Sequence, residues 1–180
     1  MGYRRSASCA PGRVSYFMRL IGFAGWSGSG KTTLVTTVLP VLIARGWRVS
    51  TIKHAHHGFD LDQPGKDSFA HRAAGASEVL ISSANRWAIM HELRGAPEPE
   101  LEELLTHLAD VDLVIVEGFK RSAYPKIEIH RPSVGKPPLY PEDPNIIAIA
   151  TDAPIETKLP LLPLDRPEVI ADFIMGLPEA

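Results

Sequence analysis

The chain has 180 residues, 44% of them hydrophobic and 22% charged, with a formal charge of -2; this describes one globular α/β domain and excludes a disordered chain or one built to coat nucleic acid. The single cysteine, Cys9, excludes an intramolecular disulfide and a multi-cysteine zinc site, so a reducing, cytoplasmic setting is expected. No apolar run approaches the roughly 20 residues of a membrane span, so no membrane partner is expected.

Residues 1–17 read as a polar, disordered extension. Met1-Gly2 with Ser6 fits the loose myristoylation pattern and Arg4-Arg5 a twin-arginine signal, yet no apolar segment follows the arginines. Met18 directly precedes the first strand, and 18–180 is expected to form one domain.

Arg19 to Ala24 is short, apolar and followed by glycines, which predicts a buried strand. A helix follows from Lys31, with Leu34, Val38, Val41 and Leu42 on one face and a kink expected at Pro40. Arg45-Gly46 ends it, and Arg48 to Lys53 reads as a second strand. His54 to Lys66 has no apolar period and reads as a loop, before a short helix capped by Asp67-Ser68 and stopped at Gly75. Two short strands, Glu78–Ser82 and Trp87–His91, come next, joined by a polar turn. Pro97 is expected to open a helix with Leu101, Leu104, Leu105 and Leu108 as its buried stripe. Strands at Leu113–Val116, Lys126–His130 and Asn145–Ala150 and a helix over Arg166–Met175 complete the chain. Strands alternating with helices imply right-handed crossovers and an α/β three-layer sandwich whose sheet is mostly parallel, with some antiparallel strands.

Gly25-Trp26-Ser27-Gly28-Ser29-Gly30-Lys31-Thr32 matches the phosphate-binding loop G-x-x-x-x-G-K-[ST] at every fixed position, between a strand and a helix as the motif requires. The glycines let backbone N–H groups turn toward phosphate oxygens and the helix N-terminus adds positive potential. Lys31 neutralises the β and γ phosphates, and Thr32 ligates Mg²⁺. The motif specifies a nucleoside triphosphate without saying which.

A P-loop also needs a carboxylate at the end of a neighbouring strand. Glu117 follows Leu113–Val116 in that place, either as a metal-side acid or as a solvated strand-end carboxylate. Lys53 to Asp62 gathers three of the seven histidines and two aspartates at the end of the second strand. Strand carboxyl ends are where ligands bind in open α/β sheets, so this string is a transition-metal site, a set of phosphate and Mg²⁺ contacts, or a mobile polar loop. Asp60 or Asp62 is its candidate metal-side acid. Five of the 16 prolines precede Lys120 and eleven follow it; because strands lie between them, they read as stiff loops and not as a disordered tail.

With these segments in place the sequence resembles the molybdopterin-guanine dinucleotide biosynthesis protein B (MobB) family, from about Met18 to the C-terminus. The resemblance rests on the P-loop, on Lys53-His54-Ala55-His56-His57 with Phe59-Asp60, and on Pro64-Gly65-Lys66-Asp67-Ser68. It rests equally on Glu117-Gly118-Phe119-Lys120, Pro125-Lys126-Ile127-Glu128 and Ala150-Thr151-Asp152. It implies a P-loop NTPase fold and a GTP-binding accessory protein of molybdenum cofactor biosynthesis, with weak GTP hydrolysis, Mg²⁺ as cofactor and a homodimeric state. The implied partners are molybdopterin guanylyltransferase, which joins GMP to molybdopterin, and other proteins of that pathway. The nucleotide contacts expected on this basis are Gly25, Ser27, Gly28, Ser29, Gly30, Lys31, Thr32, Thr33, Lys53 and Asp152. Lys31 and Glu117 are the candidate catalytic residues, and Thr32, Asp60 and Glu117 the candidate metal ligands. Lys53, Asp60, Lys66, Lys120, Lys126 and Arg131 are expected on the surface that meets the pterin phosphate or the partner.

One departure from general GTPase practice matters. The guanine-reading string Asn/Thr-Lys-x-Asp has no complete copy, since Thr157-Lys158-Leu159-Pro160 lacks the aspartate. Asp152 either bonds the guanine N1 and N2 donors instead or caps a turn before Pro154. No glutamine or arginine finger is identified in cis, which accords with slow hydrolysis. A small-metabolite kinase and a metal-delivery GTPase are the alternative readings; the first lacks a clear arginine-bearing lid, the second a cysteine in the domain. An ATPase of the deviant P-loop class has a lysine early in the loop, where this chain has Trp26.

Overall fold

A computed structural model describes residues 18–55, 58–119 and 122–178. In chain order the first elements are β1 (Arg19–Ala24), α1 (Lys31–Ala44), β2 (Val49–Lys53), α2 (Asp67–Ala73), β3 (Glu78–Ser82) and β4 (Trp87–His91). Then come α3 (Leu101–Leu105), β5 (Leu113–Glu117), β6 (Lys126–His130), a 3-10 turn at Pro132–Val134, β7 (Ile146–Thr151), β8 (Leu161–Pro163) and α4 (Pro167–Met175). The expected extension 1–17 lies outside the described residues.

The chain divides into two compact units, one of residues up to His54 with Leu108 onward, the other Ala55–His107. The first unit holds a six-stranded sheet in the order β2-β5-β1-β6-β7-β8, parallel at every pairing. Side chains alternate between its faces. On one face Ile21, Phe23, Leu113, Ile115, Ile127 and Ile129 form the core with Leu34, Val38 and Leu42 of α1 and Ile170 and Ile174 of α4. Burying one such side chain contributes about 1.5–3 kcal/mol. Arg45 at the end of α1 pairs with Asp172 of α4 at 2.7 Å. α1 runs through Pro40 to Ala44, with the proline on its exposed side.

The opposite face of β6 is polar and still buried. Lys126, expected at the recognition surface, is only 2% exposed: its ammonium bonds Ser122 O and Asp143 Oδ2, each at 2.9 Å. Glu128 is fully buried and accepts the backbone N–H groups of Leu139 (2.7 Å) and Tyr140 (2.9 Å). These bonds satisfy the charges in place of water, as buried ions require, and pin the proline-rich loop that follows β6.

The second unit is the antiparallel hairpin β3–β4 with α2 and α3. Arg72 of α2 is its hub, pairing with Asp62 at 2.7 Å, Asp60 at 3.0 Å and Glu92 at 3.5 Å.

Three elements differ from expectation. The helix expected to open at Pro97 begins at Leu101, because Pro99 disfavours helical geometry at Glu98. Lys66, not Asp67, occupies the N-cap of α2, and Asp67 lies in the first turn beside the helix dipole. β8 was not expected; three residues ending in Pro163 are too short for a periodic signal and sit at the sheet edge, where proline is tolerated. Among the late prolines, Pro132 opens the 3-10 turn, Pro163 ends β8 and Pro167 opens α4. Among the described residues no helix is long and apolar enough to cross a membrane.

Candidate functional site

The parallel sheet directs β1, β5, β6 and β7 so that their carboxyl ends share one edge, and the P-loop leaves β1 there. Gly25 is required at the first position: its φ is +150°, and an added Cβ would stand 2.7 Å from both Ile129 O and Ser29 Oγ. Gly30 is the left-handed N-cap of α1, with φ 93°, and Leu34 N–H donates to its carbonyl at 2.9 Å. Lys31 folds back over the loop, Nζ lying 2.9 Å from the carbonyls of Gly25 and Trp26. Ser29 is buried, and its Oγ has no hydrogen-bond partner among the described residues. Ser27, Gly28, Thr32 and Thr33 are exposed around the same turn.

Glu117 is the last residue of β5, in register with Phe23 of β1 and Lys53 of β2. Its carboxylate therefore meets the start of α1: Thr32 Oγ1 is 3.2 Å from Oε1 and 3.4 Å from Oε2. Lys53 Nζ stands 3.6 Å from Oε1 and offsets its charge. A hydroxyl and a carboxylate side by side are the hard oxygen donors that Mg²⁺ takes beside bound phosphates, so these residues fit the metal that a P-loop nucleotide carries.

The Glu-Gly-Phe string has a local reason. Gly118 adopts φ +110°, and a Cβ there would lie 2.5 Å from the His54 Cβ. Phe119 follows at φ 46° and packs its ring against His54, centroids 4.9 Å apart. Tyr124 donates its hydroxyl to Gly118 O at 2.7 Å. Burial, with Asp143 nearby, pushes that phenol up to about 12, so it stays a donor at neutral pH.

Beyond β6, Arg131 turns back onto the P-loop. Its Nε donates to Ser29 O at 3.1 Å and its Nη1 to Asp152 Oδ2 at 2.6 Å. Asp152 follows β7 and lines an open cavity of about 440 Å³ with Pro154, Leu161, Pro163 and Asp165 among others. The loop anchored on Glu128 reaches the P-loop as well: Trp26 Nε1 donates to Pro137 O at 2.8 Å, and Lys136 lies over the Trp26 ring. Sequence reasoning missed these contacts of Arg131, Pro137 and Lys136. A hydrogen bond across 102 residues leaves no periodic signal in the chain.

Asp60 belongs to the 55–107 unit, where Arg72 holds it, and Lys66 is the exposed N-cap of α2 in the same unit. His56, His57 and Lys120 lie outside the described residues. Among the described residues no group of three or more His, Cys, Asp or Glu is placed to hold a metal ion.

A parallel sheet with a P-loop after an inner strand and a carboxylate beside its threonine defines a P-loop NTPase fold. Within that class the chain belongs to the molybdopterin guanine dinucleotide synthesis protein B family (MobB), whose model matches residues 20–152. It is 42% identical over 159 residues to the molybdopterin-guanine dinucleotide biosynthesis adapter protein of Escherichia coli (strain K12), covering 87% of this chain and 91% of that one. The adapter protein of Haemophilus influenzae is 46% identical over 159 residues, 86% of each chain. Two solved structures are similar. A molybdopterin-guanine biosynthesis protein B has TM-score 0.69 and 28% identity, covering 88% of this chain and 99% of its own. Bacillus subtilis MobB has TM-score 0.70 and 25% identity, covering 88% and 97%.

Proposed function

We propose that the protein is a GTP-binding adapter in molybdopterin guanine dinucleotide biosynthesis, a cytoplasmic accessory to the nucleotidyltransferase that joins GMP to molybdopterin. The carrying observation is the Thr32–Glu117 contact at the mouth of a complete P-loop, in a chain 42% and 46% identical to proteins named as adapters of that pathway.

The residues divide the work as follows. Backbone N–H groups of 25–30 and the N-terminus of α1 bind the phosphates. Lys31 exchanges the Gly25 and Trp26 carbonyls for β and γ phosphate oxygens. Thr32 and Glu117 hold Mg²⁺, which supplies charge neutralisation on the phosphates, and Lys53 balances Glu117. Asp60 stays with Arg72 in this proposal. Hydrolysis is slow in this proposal, the sequence offering no glutamine in a recognisable motif to orient water, which suits a protein that presents a nucleotide or senses it.

The adapter is a homodimer. The hairpin supports this: Leu80, Trp87 and Ile89 share one face of β3–β4 and are 60%, 66% and 46% exposed. Contiguous apolar faces of this kind mark association surfaces.

Titration calorimetry of GTP, ATP and GMP with Mg²⁺, on wild type and Lys31→Ala, tests the reading. GTP is expected to bind more tightly than ATP, and Lys31→Ala to lose at least about a hundredfold in affinity, the loss of charge-assisted bonds to phosphate. Absence of nucleotide binding by the wild type overturns it.

A further inference from the structure

The guanidinium of Arg131 joins two places that the sequence keeps far apart. One edge bonds the carbonyl of Ser29 within the phosphate loop, and the other bonds the carboxylate of Asp152 at the rim of the β7–β8 cavity. It also lies beside Gly30, where an added Cβ would come within 3.6 Å of Nε and 3.7 Å of Nη2. Arg131 and Asp152 are only partly covered, their side chains 36% and 38% exposed. An ion pair that open contributes little to folding, so its geometry is better explained by what it positions.

Asp152 Oδ2 takes the arginine bond, and among the described residues Oδ1 has no hydrogen-bond partner. The cavity beside it has apolar walls at Pro154, Leu161 and Pro163, and its volume of about 440 Å³ falls within the range of small-molecule sites. Apolar walls suit the faces of a purine. A fixed carboxylate suits an edge that carries two adjacent donors, as N1–H and the N2 amino group of guanine do. Adenine offers an acceptor at N1, and a carboxylate facing it is left unpaired. Sites that bind through such donors reject the analogue lacking them far more strongly than apolar pockets reject a missing methylene.

We infer that Arg131 is a positioning residue that sets Asp152 for guanine at the β7–β8 cavity and ties it to the P-loop through Ser29, so that base recognition and phosphate grip reinforce each other. This rests on the proposed GTP binding and adds the base subsite and its link to the phosphates. The bidentate reach is specific to arginine: a lysine keeps the charge but cannot span both partners with a planar fork.

The experiment measures Kd for Mg²⁺ complexes of GTP, ATP, XTP and tripolyphosphate on wild type, Asp152→Asn, Arg131→Lys and Arg131→Gln, with circular dichroism confirming that each variant is folded. In XTP the N2 amino group is replaced by a carbonyl, which an asparagine amide can donate to. Asp152→Asn is expected to reverse the preference from GTP to XTP by at least about tenfold while tripolyphosphate affinity holds. Both Arg131 variants are expected to shrink the GTP-to-ATP ratio at least about fivefold, and combination of Arg131→Lys with Asp152→Asn to add little further loss for GTP. Arg131 variants that weaken all four ligands equally, with the GTP-to-ATP ratio intact, overturn the coupling. A wild type that binds tripolyphosphate and all three nucleotides alike overturns the base subsite and leaves the P-loop reading standing. A wild type that binds none of the four overturns both.

Discussion

Thr32 Oγ1 lies 3.2 Å from Glu117 Oε1 across 85 residues of sequence. The contact exists because β5 lies beside β1 in parallel register, with Phe23 opposite Glu117, so the end of one strand faces the helix launched from the other. Substitution at either residue should therefore act through the metal. Thr32→Ala and Glu117→Gln are each expected to lower affinity for GTP at least about tenfold in Mg²⁺, with a much smaller change in EDTA. Titrations in both buffers check this, and equal losses in the two would remove the metal assignment.

Gly25→Ala should damage the fold and the site at once. The new methyl meets Ile129 O and Ser29 Oγ at 2.7 Å, on a backbone with φ +150°. A cost of about 1–3 kcal/mol is expected for the conformation alone. Urea denaturation reads that loss, and a variant as stable as wild type contradicts the packing described for the loop.

Acid stability has a named contributor at the opposite edge of the sheet. Arg48 donates to Asp112 from its side chain at 2.9 Å and from its backbone N–H at 2.7 Å. These bonds hold the Asp112 carboxyl below its ordinary value. A group with a depressed folded-state pKa stabilises above its unfolded value, about 3.9, and that contribution is lost as pH falls through the folded-state value. Wild type should lose more stability than Asp112→Asn between about pH 5 and pH 2. Urea midpoints measured across that range give the answer; parallel curves for the two proteins would refute the assignment.

The hairpin face makes a prediction about mass. Leu80 and Ile89 are directly opposed across β3 and β4, so Leu80→Asp with Ile89→Asp places two like charges in the middle of the exposed apolar face. Light scattering is expected to show a dimer for wild type and a monomer for the double variant. An unchanged dimer would move the interface elsewhere.

The P-loop could be read directly because its chemistry needs fixed residue types at fixed spacing within eight positions, and each flanking element has its own periodic pattern. Glu117 was legible for a related reason, since an apolar strand must end somewhere and the acid marked the place. The surroundings of the site were harder. Lys126 was expected at the recognition surface on the family resemblance, yet it points to the covered face of β6 and closes on Asp143. Arg131 followed a histidine at a strand end with no motif around it, and only the register of β6 beside β1 brings it to Ser29. α3 begins at Leu101, the first residue of the leucine period, and leaves Pro97 and Pro99 outside the helix.

Length and composition indicated one α/β chain, and local chemistry marked the phosphate loop, the strand-end acid Glu117 and the order of most elements. Those properties depend on neighbours in sequence, where propensity and spacing act directly. Tertiary structure decided which partner each carboxylate finds: Glu117 meets Thr32, Glu128 ties down the proline-rich loop, and Asp60 and Asp62 pair with Arg72 within their own unit. The residue type is the same or nearly so in each case. What differs is strand order and register, which set the partner that each carboxylate finds once water is removed, and a charge removed from water must find one.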